Sequence, residues 1–185
     1  MTRPARTYAD ALAAPAPGAW GGIRRPALVA LIVGVSTAVS STGHLTIGLL
    51  VSGFLCWTFV PLLQIATAAA VMRPPASRPM PLSRRLDLWF MGHAPWSLWI
   101  IAAGFVLAYA PGRWRVELPI VATAAIPIAW TNIIAAAFCR VVLGDPPGVA
   151  RARTAIHQAV TWTIALLYFA YAVALWPRVV AFLGG

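Results

Sequence analysis

Apolar residues in this chain run on almost without interruption, and short arginine-bearing connections separate the runs. Because about 20 such residues cross a hydrocarbon core of about 30 Å, each run of that length reads as a transmembrane helix. Arg25 to Arg73 encloses 47 uncharged residues, too many for one crossing, so the stretch must fold back once, with the break in "SSTGH", Ser40 to His44. The other charge-free windows are Leu88 to Gly112, Leu118 to Cys139 and Thr154 to Pro177, each long enough for one span. The pattern predicts an all-α membrane protein, a single bundle of five transmembrane helices at about 26–42, 45–72, 90–110, 118–140 and 155–177. One transmembrane domain, 24–185, then follows a Pro- and Ala-rich segment, 1–23, that lacks an apolar core of signal-peptide length and is expected to be an uncleaved, mobile cytoplasmic arm. Pro61, Pro95, Pro127 and Pro177 fall inside spans, where each frees a backbone carbonyl and kinks the helix.

Charge orients the bundle. Arg3, Arg6, Arg24 and Arg25 precede the first span, Arg73, Arg78, Arg84 and Arg85 lie between the second and third, and Arg140, Arg151 and Arg153 lie between the fourth and fifth. Only Arg113, Arg115 and Arg178 fall on the other side, and eleven against three puts the amino terminus in the cytoplasm and the carboxyl terminus across the membrane. The clusters are expected to meet anionic lipid head groups, with Arg73, Arg84, Arg85, Arg151 and Arg153 as the phosphate contacts. Trp89, Trp96, Trp99, Trp114 and Trp176 are expected near the interfaces, and Trp57, Trp130 and Trp162 deeper.

Composition narrows the classes further. With 61% hydrophobic and 10% charged residues, a water-soluble fold of 185 residues would lack the polar surface to stay dispersed. The net charge of +10 sits in short clusters between apolar runs, which reads as topology signal and excludes nucleic acid as a partner. All 14 basic residues are arginine, so Schiff-base chemistry with retinal or pyridoxal phosphate is excluded. Asp87, Glu117 and Asp145 lie at span boundaries and Asp10 in the arm, and the lack of a midplane carboxylate disfavours ion-coupled transport. Cys56 and Cys139 sit at different depths, which disfavours a disulfide. No nucleophile has a base placed beside it by spacing, so no enzyme is expected and no catalytic residue is assigned.

Depth brings one group of residues together. At about 1.5 Å per helical residue, His93 lies roughly 9 Å in from Asp87 and His157 roughly 6 Å in from Arg153. Gln64 and Asn132 lie roughly 12 to 14 Å from Arg73 and Arg140, on the same cytoplasmic side, and Gln158 and Thr161 join them. This polar cluster supports three readings. One is interhelical hydrogen bonding, another a vestibule for a lipid head group or small ligand, and the third a haem b or metal site formed by His93 and His157. His44, on the opposite face, is outside it.

Five spans, a Pro-rich cytoplasmic arm, an early proline in the third span ("GHAPWSLW") and a short basic connection before the last ("GDPPGVARARTAIHQAV") resemble the bacterial members of the Yip-type family over residues 24–177. The resemblance is one of layout. It implies a non-enzymatic adaptor in trafficking or membrane shaping and carries no catalytic residue. Gly34, Ala38 and Thr42, at four-residue spacing, offer a small-residue face for close helix packing. The sequence therefore points to a scaffold or accessory subunit of a bacterial inner (cytoplasmic) membrane, carboxyl terminus periplasmic or extracellular. It would bind lipids and other membrane protein subunits or itself, without a cofactor. The alternative is a ligand-, lipid- or haem-binding protein that uses His93 and His157.

Overall fold

A computed structural model of the chain describes residues 3–16, 18, 20–109, 119, 120 and 122–183, and among these no strand occurs. Eight helices are described: α1 (Pro4–Ala13), α2 (Gly21–Thr42), α3 (Ile47–Trp57), α4 (Phe59–Val71), α5 (Leu82–Met91), α6 (Ala94–Tyr109), α7 (Ala125–Val141) and α8 (Pro147–Leu183). Among the described residues two segments, Gly21–Ser40 and Ile47–Val71, are long and apolar enough to cross a membrane. A third joins them if α5 and α6, bent by 49°, form one span. α7 is shorter, and α8 runs for 37 residues. The expected fifth-span end at Pro177 is passed without a break in the helix. Trp114, Arg113, Arg115 and Glu117, and the side chains of Trp176, Pro177 and Arg178, lie outside what is described.

The local chemistry of the breaks follows the sequence. α2 closes on Gly43, whose φ of 72° is the left-handed C-cap that glycine accepts without steric cost. Thr46 then caps α3 by accepting from the Leu49 N–H at 3.2 Å. The α3/α4 break at Thr58 lies one turn before Pro61, and the α5/α6 bend at Gly92 and His93 just before Pro95. A proline ring clashes with the carbonyl four residues back and donates no hydrogen bond to it. Pro147 opens α8 at its first position, where a missing N–H costs nothing.

α2 is the central packing element, against α3, α5 and α6, while α8 packs on α4 and α7. The close approach between α2 and α3 occurs where Gly34 meets Gly53: a Cβ on Gly34 would lie 2.6 Å from the Gly53 carbonyl carbon. Gly34 and Ala38 thus serve packing within the chain, whereas Thr42 is exposed and its hydroxyl donates to the Ala38 carbonyl at 2.7 Å. The segment expected as a mobile arm also differs. Residues 4–13 form α1, which packs on α7, and Tyr8 is fully buried with its ring edge-on to Phe138 at 5.6 Å. Burying the Tyr8 phenol, about 150 to 250 Å² of mostly apolar surface, is enough to hold a short helix down.

The arginine-bearing connections gather at one end of the bundle. Arg25 pairs with Asp87 at 2.7 Å, Arg153 with Asp145 at 2.9 Å, and Arg78 lies beside Gly144. The densest apolar core sits here, under α1, around Met72, Leu88, Trp89, Ile134, Phe138 and Leu143.

Candidate functional site: a polar cavity within the bundle

A cavity of about 200 Å³ opens among α2, the end of α3, α4, α5, α6, α7 and α8. Gln64, His93, His157, Gln158 and Thr161, five of the six residues expected to cluster, line it. Asn132 does not. Its amide donates to the Ile128 carbonyl of its own helix at 2.9 Å, and the preceding residue, Thr131, faces the cavity instead. Thr67, overlooked at the sequence level, proves central. Its hydroxyl lies 3.1 Å from His157 Nε2 and accepts from Thr161 at 3.1 Å.

Trp89 was expected in the head-group layer, but it is 4% exposed, with His157 edge-on at 4.6 Å and His93 edge-on at 6.0 Å. Phe90 stacks on the other side of His93 at 4.7 Å. α5 continues α6 only after the 49° bend, and its core-facing side is covered by α1 and α7, so this indole is turned inward. Of the deep tryptophans, Trp57 and Trp162 line the cavity, as does Trp96, while Trp130 is exposed.

Several polar atoms of the lining residues lack partners. Gln64 Oε1, Trp89 Nε1, His93 Nδ1, Thr131 Oγ1 and His157 Nδ1 are buried without a hydrogen bond, and all five residues line the cavity. An unpaired buried polar atom costs roughly 1 to 3 kcal/mol, so five together would rival the whole stability of a typical domain of about 5 to 15 kcal/mol.

The space beside the two histidines is small for a haem. A cavity of roughly 150 Å³ holds one benzene ring, and 200 Å³ is far from the size of a macrocycle. Both histidines also press on the same indole.

The arginines expected to touch lipid phosphates divide. Arg84 and Arg85 are each 8% exposed, and Arg84 donates to the carbonyls of Ala11, Ala14 (2.9 Å) and Pro15 (3.4 Å), closing the end of α1. Burial, and then the neighbouring Arg73, lower the pKa of Arg85. Arg153 donates to the Val71 and Arg73 carbonyls at 3.0 and 2.7 Å besides pairing with Asp145. Arg73 and Arg151 remain exposed. Arg151 lines a wide crevice of about 960 Å³ between α1, α7 and α8, together with Arg3, Arg6 and Arg140. Cys56 is exposed on α3 and Cys139 buried on α7, both as free thiols.

Compared with protein-family models, curated proteins and solved structures, the chain matches none of them.

Proposed function

We propose that this chain is a five-span membrane protein, amino terminus cytoplasmic, that works by binding: it holds a small molecule in the cavity between its helices and performs no catalysis of its own. The observation that carries the reading is the set of five unpartnered polar atoms on residues around one 200 Å³ space. Inside a bilayer such groups have no bulk water to turn to, and an intramembrane polar cluster that includes ionisable side chains is a candidate binding site. α7 and the apolar part of α8 supply the fourth and fifth crossings in this reading. The arginine crevice between α1, α7 and α8 supplies a seat for anionic lipid head groups on the cytoplasmic side of a bacterial inner membrane.

The scaffold reading draws on the broad apolar surface of α3 and α4, where Ile47, Val51, Leu55 and Leu62 are all at least half exposed. Lipid contact accounts for that surface equally well. Its small-residue face, moreover, is already used between α2 and α3.

The test is to fill the cavity. Ala165 lines it, and Ala165→Phe adds a ring's worth of volume from α8. Solvent extraction and mass spectrometry of the purified protein should recover a small molecule near one equivalent from the native chain and little from the variant, with helicity unchanged. Equal recovery from both, or none from either, would sink the proposal.

A further inference from the structure

Resting on that reading, we infer that the cavity's ligand is a neutral hydroxylated ring, a phenol or quinol head group, which enters from the membrane. Size comes first. About 200 Å³ is slightly more than the roughly 150 Å³ that takes up benzene, which is one substituted six-membered ring and no more. Charge comes second. No arginine, aspartate or glutamate lines the space, so neither an anion nor a cation would find a counter-charge there. Tryptophan and phenylalanine supply flat apolar walls, with Trp57 against Phe169 and Trp96 against Trp162, both at 5.5 Å, the surface on which a ring packs.

The hydrogen-bonding pattern narrows the class further. Trp89 Nε1 can only donate, and Gln64 Oε1 can only accept. His157 can serve either way. With the Thr67 proton on the Leu63 carbonyl at 3.0 Å, His157 Nε2 donates in the 3.1 Å contact to Thr67 and its Nδ1 is an acceptor, and the other tautomer reverses both roles. The cavity therefore needs a ligand that both donates and accepts. A hydroxyl does both, donating its proton to Gln64 while accepting from Trp89. An ether or a fully oxidised quinone accepts only, and leaves the buried acceptors unpaired. Entry is through the α8 side, where Trp162 and Phe169 each remain 38% exposed at the apolar surface.

The experiment compares four probes of matched tail: 4-pentylphenol, 4-pentylanisole, pentylbenzene and pentyltrimethylammonium. Each is titrated by equilibrium dialysis into the full chain in lipid nanodiscs, with empty nanodiscs subtracted for partitioning. The phenol should bind saturably and roughly tenfold or more tighter than the other three. Gln64→Leu should bring phenol affinity down to that of the anisole without changing pentylbenzene, and Trp89→Phe should weaken both oxygen-bearing probes. Should Trp89→Phe fail to fold, the probe series on the native chain and Gln64→Leu still decide. Equal binding of phenol and anisole, tightest binding of the ammonium, or no preference over pentylbenzene overturns the hydroxyl assignment while leaving a ligand cavity in place. Saturable binding of none of the four overturns the assignment and the cavity reading together.

Discussion

Gly34 and Gly53 touch backbone to backbone, so the first methyl group added at either position has nowhere to go. Gly34→Ala should force α2 and α3 apart and cost roughly 1 to 3 kcal/mol, read as a lower midpoint for thermal loss of helicity in detergent. Gly48 in α3 is the control. A Cβ there meets only the Thr46 hydroxyl at 4.0 Å, so Gly48→Ala should be neutral or stabilise by roughly 0.5 to 1 kcal/mol through helix propensity. Thr67 is the other residue with a clear expectation. Thr67→Val keeps the shape but removes the hydroxyl that both Thr161 and His157 bond, so it should loosen ligand binding with little change in fold, measurable by dialysis. Gly34 was readable from its small-xxx-small spacing. Thr67 was not, because a threonine that bonds its own helix gives no sign that two residues of another helix, His157 and Thr161 of α8, also need it.

Among the elements, α1 stands apart because its docking rests on a few identifiable contacts. Arg84 from α5 closes its last carbonyls, and Tyr8 plugs it into the core beside Phe138. Arg84→Met should release it, and limited proteolysis should then cleave within residues 4–13 roughly tenfold faster or more. Tyr8 adds a pH dependence. Burial raises its phenol above the ordinary value of 10.0, so the docked form holds its proton more tightly than the free arm does. Docking is then at full strength below about pH 10 and weakens as the pH rises beyond it. Tyr8→Phe should dock at every pH, and protease sensitivity that rises above pH 10 in both proteins alike would refute the role given to Tyr8. The Pro- and Ala-rich composition around α1 gave no warning of this docking. A lone tyrosine acquires meaning only when Phe138 and Gly92, far along the chain, frame its pocket.

For the whole molecule, the eleven-to-three arginine split of the sequence carries the expected orientation. Reporters fused to the two termini should therefore fall on opposite sides of the membrane, the amino end inside. Two ends on one side would remove the five-span arrangement. The crevice holding Arg140 and Arg151 should retain anionic lipid through purification, and each arginine replaced by glutamine should lower that retention roughly fivefold in native mass spectrometry.

The sequence alone determined the spacing and depth of the chain's features. Uncharged run length set where helices could cross, Gly43, Pro61 and Pro95 set where they break, and counting from the arginines brought Gln64, His93, His157, Gln158 and Thr161 to neighbouring levels. Direction around each helix axis was a different matter. A helix that is apolar all round carries no stripe to say which side faces its neighbours, and each step along it turns the side chain by about 100°. That is why the sequence suggests Asn132 for the cluster when Thr131 belongs there, and why it points Trp89, Arg84 and Arg85 toward lipid when all three are buried, Trp89 against Phe138 of α7 and Arg84 against the end of α1. Only the packing of α4, α5, α7 and α8 against one another decided which polar atoms share a cavity, because that depends on contacts between residues far apart in sequence, such as Trp89 and Thr67 with His157.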